Sequence, residues 1–111
     1  KYQDGQWPAG ARFADYKDAH PRTAAMTRRF VNDKTLASTA RFMEIAARAG
    51  MSSTTLAVAW TLTHDFVGST IVGATRVEQL PDLLRGGEVE LGTDVRKACD
   101  QVTREILYPM G

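Results

Sequence analysis

The sequence predicts a mainly α-helical chain with one short β-strand, a slice of an α/β protein more than a free-standing one. Three observations predict it. Several stretches carry apolar residues at the three- and four-residue spacing of amphipathic helices. Only one run, Ser69-Thr70-Ile71-Val72, is β-branched and apolar enough to read as a buried strand. That run ends in Gly73-Ala74-Thr75 and leads at once into another helical stretch. This is the βα rhythm of a parallel sheet, and it occurs here once. A lone strand cannot satisfy its own backbone groups, so it calls for neighbours that this chain does not supply.

Each element has its own justification. Residues 1–21 carry Gly5, Pro8, Gly10 and Pro21 among the aromatics Tyr2, Trp7, Phe13 and Tyr16, with no clean period. They read as a loop whose aromatics pack against something else, and loops of this length are often functional. Pro21 suits the first turn of a short helix over 21–31. Asn32 or Asp33 caps a stronger helix, in which Leu36, Ala40, Met43 and Ala47 form a stripe that Phe42 and Ala46 widen. Gly50 ends it as the residue just past the helix. Ser52 or Ser53 starts the next helix. Leu56, Ala57, Ala59, Trp60 and Leu62 fill most of its circumference, which predicts burial on most sides. His64 falls at its end, where an imidazolium suits the helix dipole. After the strand, Thr75 reads as an N-cap with Glu78 three residues on as its capping box. Pro81 would then lie past the first turn and should kink or shorten the helix. Gly86-Gly87 closes that segment. Gly92 or Thr93 opens a last amphipathic helix with Val95, Ala98, Cys99, Val102 and Ile106 as its stripe.

Composition narrows the function classes. The chain has 111 residues, 43% hydrophobic and 24% charged, with a formal net charge of +1. Disorder and low complexity are excluded. A complete (β/α)8 barrel, which needs roughly 200 residues or more, is also excluded. The near-neutral charge argues against a nucleic-acid partner, and a helix-turn-helix over 53–84 is disfavoured by its long, β-branched turn. Cys99 is the only cysteine. It can form neither an intramolecular disulfide nor a Cys-rich zinc site, which favours a reducing compartment, the cytoplasm. No apolar run reaches the ~18 residues of a membrane span. No metal-ligand cluster accompanies His20 or His64. The first residue is lysine, so the expectation is processing, or the C-terminal part of something longer.

The segment with most chemistry is Gly73-Ala74-Thr75-Arg76, followed by Gln79 and Asp82. A strand ends, a small-residue turn follows, and a helix begins. The first N–H groups of a helix lack intrahelical partners and, with the macrodipole, favour an anion. Gly73 and Ala74 would let a phosphate come close. Thr75 brings a hydroxyl and Arg76 a guanidinium suited to phosphate. Thr75 capping a helix with Arg76 in solvent is structurally sufficient for the same residues, so from the residues alone both readings stay open.

Several ordered features resemble the C-terminal third of the aldo-keto reductases, in the branch of potassium-channel β subunits and bacterial general oxidoreductases. Lys1-Tyr2, Asp4-Gly5 and Pro8-Ala9-Gly10-Ala11-Arg12 resemble the end of the family's "GKY…P…R" loop. Ala46-Ala47-Arg48-Ala49-Gly50-Met51-Ser52 resembles its "IA…G.S" junction, and Leu56-Ala57-Val58-Ala59-Trp60 its "LALAW" helix. Ile71-Val72-Gly73-Ala74-Thr75 with Glu78-Gln79-Leu80 resembles "IIGAT…EQL", and Leu91-Gly92-Thr93-Asp94-Val95 its final helix.

The resemblance implies the C-terminal portion of a (β/α)8 barrel that reduces aldehydes and ketones with NADPH. It makes the chain a single partial domain: 1–20 the cofactor-loop region, 21–68 helices, 69–72 the last barrel strand, and 73–111 the cofactor-phosphate loop and C-terminal helices. Within it, 33–49 and 53–63 would form the seventh helical layer. It places Lys1, Arg12, Gly73, Ala74, Thr75, Arg76, Gln79 and Asp82 at an NADP(H) site, with Arg76 beside the 2′-phosphate. Leu83 stands where the family has an asparagine that reads the adenine edge, so adenine would meet apolar packing there. The family's Asp, Tyr, Lys and His set, with tyrosine as general acid, comes from upstream. Tyr2, Tyr16, Tyr108 and the two histidines match none of it, so the chain would carry no catalytic residue and be inactive alone. Its partners would be the nucleotide and the missing N-terminal barrel portion, or a second copy of itself. The alternative, motivated by Leu83 and Pro81, is a non-catalytic helical interaction module that has lost nucleotide binding.

Overall fold

A computed structural model describes residues 1–110 and divides into two compact units. One comprises Lys1–Ala40 with the segment that begins at Ile106; the other is Arg41–Glu105. The helices are α1 (Arg12–Tyr16), α2 (Pro21–Phe30), α3 (Asp33–Arg48), α4 (Ser53–Leu62), α5 (Leu80–Arg85) and α6 (Thr93–Glu105), with single 3-10 turns at Gln3–Gly5 and Val77–Gln79.

Three expectations need correction. Residues 1–20 are not all loop, since they hold a 3-10 turn and α1. Residues 69–72 do not form a strand, and among the described residues there is no strand at all. The reason is the one the pattern implied: a strand exists only through hydrogen bonds to a neighbour, and here no second extended segment lies beside it. The segment stays exposed instead, with Ile71 97% accessible. Finally, Thr75 does not cap a helix through its side chain. The helical run starts later, at Val77, with Arg76 as its unassisted cap. Pro81 is consequently at the second position of α5, where its missing N–H is no loss.

In the first unit, aromatic packing replaces an aliphatic core. Tyr2 packs against Trp7 and Phe13, and Phe13 stacks on Phe30 at 5.5 Å with a 14° tilt. Offset stacking of this kind adds to the area buried. The Phe13 N–H donates to the Tyr2 hydroxyl at 3.1 Å, and the Gln3 amide donates to the Leu36 carbonyl at 3.0 Å. Pro21 opens α2 after His20, whose Nδ1 accepts the Arg22 N–H. Asn32 Oδ1 accepts the Thr35 N–H at 3.0 Å and so caps α3.

The second unit has an aliphatic core of Ile45, Ala46, Leu56, Cys99 and Val102, flanked by Phe42, Met51, Trp60 and Leu91. On α3 the buried residues in this unit are Ile45 and Ala46, while Met43 and Ala47 face outward. The expected stripe is thus rotated by one residue. Gly50 has φ +68°, the left-handed conformation that ends α3. The Ser52 hydroxyl then accepts the Thr55 N–H and caps α4. Thr55 is itself buried and donates its hydroxyl to the Asp82 carbonyl at 2.9 Å, tying α5 to α4. Gly86, just past α5, is buried against Val58 with no room for a side chain.

Candidate functional site

Residues 73–76 form an exposed turn between α4 and α5. A Cβ built on Gly73 would meet nothing within 4 Å, so the turn is open to a ligand from that side. The Thr75 N–H donates to Gln79 Oε1 at 2.9 Å, and the Thr75 hydroxyl lies 3.5 Å from the same oxygen. Gln79 therefore folds back over the turn and occupies its amide oxygen there. Its amide nitrogen, a donor only, is left for an acceptor from outside. Arg76 is exposed, and among the described residues no carboxylate pairs with it.

The donors gathered here are backbone N–H groups, a hydroxyl, an amide and an unpaired guanidinium. Such a set suits phosphate oxygens. The helix behind it contributes little, because α5 has only six residues and starts after a 3-10 turn. Asp82 lies exposed in the first turn of α5. Its carboxylate would repel phosphate and accept from hydroxyl groups. Gly73, Ala74, Thr75, Arg76, Gln79 and Asp82 thus fall on one continuous stretch of the second unit. Lys1 and Arg12 belong to the first unit, where both are exposed.

Beside the turn lies an apolar groove of about 500 Å3. Phe42, Val58, Trp60 and Leu83 line one part of it, and Thr70, Ile71, Val72 and Gly73 another. Leu83 therefore looks into this groove and is half-buried. Thr70 Oγ1 is buried with no hydrogen-bond partner, which is rare for a polar atom in a folded chain. The sequence pointed to this feature only through the unpaired β-branched run. A second hollow of about 410 Å3 sits where Ala59 and Leu62 of α4 face Gly86, Gly87 and Leu91.

Two ionisable groups are shifted, and both are structural. Burial, helped by the adjacent Asp100, pushes the Cys99 thiol up and keeps it protonated. Glu105 is held below the usual carboxylate range, chiefly by the hydrogen bond from Gln101 and then by Arg41. The histidines serve the backbone. His64 Nδ1 lies 3.1 Å from the Trp60 carbonyl, at the end of α4, and its ring meets the Trp60 indole edge-on at 4.9 Å. Trp60 in turn donates its indole N–H to Asp100 at 3.1 Å. Among the described residues no group of three His, Cys, Asp or Glu side chains is placed to hold a metal ion. No described helix is long and apolar enough to cross a membrane.

Comparison with known proteins adds a lineage. The family model described as "Aldo/keto reductase family" matches residues 9–104. Protein tas of Escherichia coli (strain K12) is 30% identical over 109 residues, 98% of this chain and 29% of that protein. Protein tas of Shigella flexneri matches to the same extent. A probable voltage-gated potassium channel subunit beta of Oryza sativa subsp. japonica is 33% identical over 91 residues, 80% of this chain and 26% of that protein. The chain thus spans less than a third of the length of these relatives.

Proposed function

This chain belongs to the aldo/keto reductase family, and from that premise we propose that it forms the C-terminal, nucleotide-holding part of an NADPH-dependent reductase of aldehydes and ketones. The observation that carries the reading is the open turn at 73–76, with its unpaired Arg76 and with Gln79 folded over it.

The residues divide the work by chemistry. Arg76 offers a planar fork of donors to a 2′-phosphate. The turn's backbone N–H groups other than that of Thr75, which Gln79 Oε1 takes, donate to phosphate oxygens. The Thr75 hydroxyl turns from Gln79 to join them, and the free Gln79 amide nitrogen donates beside them. Asp82 takes hydroxyl groups at the rim. The assignment of Lys1 to the cofactor phosphates, and of Arg12 as the arginine that folds over the cofactor, rests on the family resemblance. NADPH, when bound, supplies the hydride that reduces the carbonyl carbon. The acid–base groups come from the rest of the longer protein, so this chain binds and orients without catalysing.

The test is a calorimetric titration with 2′,5′-ADP and 5′-AMP. A charge-assisted contact to the extra phosphate is worth about 1.5–3 kcal/mol, so 2′,5′-ADP should bind about 10- to 100-fold tighter. Arg76→Ala should bring the two ligands to parity. Equal affinities in the unaltered chain, or binding of neither, would refute the proposal.

A further inference from the structure

Three backbone carbonyls in residues 107–110 are gripped by four side chains from the corner between α2 and α3. Arg29 Nε donates to the Met110 carbonyl at 3.1 Å, and Lys34 Nζ donates to the Leu107 carbonyl at 3.0 Å. Between them, the Pro109 carbonyl accepts twice, from Asn32 Nδ2 at 3.2 Å and from the Thr35 hydroxyl at 3.0 Å. Two of the four donors are cationic, which strengthens their bonds to neutral carbonyls. Tyr108 sits among these contacts with φ +49°, the left-handed region that residues other than glycine seldom occupy. The residue is 79% exposed, so side-chain packing does not hold it there. A residue stays in that region only when its surroundings over-determine it, and the gripped carbonyls on both sides do so.

Asn32 is the hub. Its Nδ2 also donates to the Arg29 carbonyl at 2.9 Å, closing α2, while its Oδ1 caps α3. Whatever fixes this corner fixes the end of α2, including Phe30. Phe30 carries the stacked Phe13 of α1, next in sequence to Arg12. A five-residue helix such as α1 has no stability of its own, so its place is set by what it packs on.

We propose that residues 107–110 are a strap that clamps the α2–α3 corner and, through Phe30 and Phe13, sets the place of α1. Asn32 and Thr35 are the positioning residues. Loosening the strap frees α1 to move.

Hydrogen exchange on the full chain tests the strap without any nucleotide. Thr35→Val removes only the hydroxyl. Asn32→Asp keeps the capping oxygen and removes the donor. Each should speed exchange of the amides at Ala14, Asp15 and Val31 by roughly five-fold, the weight of one net hydrogen bond, and leave Arg41–Glu105 unchanged. Thr35→Ser should restore the original rates. Unchanged rates in both variants would overturn the strap.

Discussion

Replacing Gly86 by alanine measures how closely α4 and α5 approach. A Cβ at Gly86 would lie 2.5 Å from Val58 Cβ, 2.7 Å from Val58 Cγ1 and 3.0 Å from the Thr55 carbonyl oxygen. Val58 Cγ1 could rotate, but Val58 Cβ and the Thr55 carbonyl cannot swing away, because they belong to the α4 framework. Relief therefore needs the two elements to part by about an ångström, which puts the cost near the 1–3 kcal/mol of overpacking. An opposing effect exists. Gly86 has φ −60° and ψ −28°, which any L-residue adopts, so alanine gains about 0.4–1 kcal/mol by restricting the unfolded chain. The steric cost wins, and the net loss should be about 1–2 kcal/mol. Urea unfolding followed by Trp60 fluorescence, in a Trp7→Phe background, should show it as a midpoint lower by roughly 0.3–2 M for the usual range of m-values. Gly87→Ala is the control. Its Cβ would meet nothing nearer than the Leu84 carbonyl oxygen at 3.4 Å, so its stability should stay within about 0.5 kcal/mol of the original. Equal midpoints for the two variants would refute the close approach of α5 to α4, and with it the account of how the 73–82 stretch is held.

Two further outcomes follow from the shifted groups. Glu105 accepts from Gln101 at 2.7 Å and from Arg41 at 2.5 Å, so its folded pKa lies below its unfolded one. Its contribution is thus present above the ordinary carboxylate pKa and lost as pH falls through the folded value. Urea midpoints taken from neutral pH down into the acid range should fall more steeply for the unaltered chain than for Glu105→Gln, and parallel profiles would contradict the assignment. Cys99 is fully buried with its thiol pushed up, so disulfide-exchange labelling at pH 8 should run at least ~100-fold slower than for free cysteine, limited by local opening. Sub-denaturing urea should speed it, and labelling at the free-thiol rate would contradict the packing.

The site was legible in part. The run 73–76 stood out by composition, because a glycine, a small residue, a hydroxyl and a guanidinium in succession suit either an anion or a helix cap. What sequence spacing misjudged was the helix start. Thr75 and Glu78 stand at capping-box spacing, yet the Thr75 N–H is taken by Gln79 Oε1, and the helical run begins two residues later. A local rule lost to a competing local partner. The strap over the α2–α3 corner left no mark in the pattern at all. Its acceptors are backbone carbonyls, which every residue carries, and they lie more than 70 positions away from their donors in sequence.

By itself the sequence determined what short-range physics controls. Helical periodicity, Pro21 and the serine cap fixed where α2, α3, α4 and α6 run, because capping and side-chain spacing act within a turn or two of chain. Family likeness was also readable, since ordered short motifs survive without coordinates. Tertiary structure alone decided which face of a helix is inside. On α3, Phe42, Met43, Ala46 and Ala47 offer two adjacent stripes of similar hydropathy, and only packing against Leu56, Cys99 and Val102 selects Ile45 and Ala46 for burial. Tertiary structure also decided the fate of residues 69–72. Their β-branched side chains favour a strand, but a strand is a relation between two segments, and its hydrogen bonds require a neighbour that local preference cannot create.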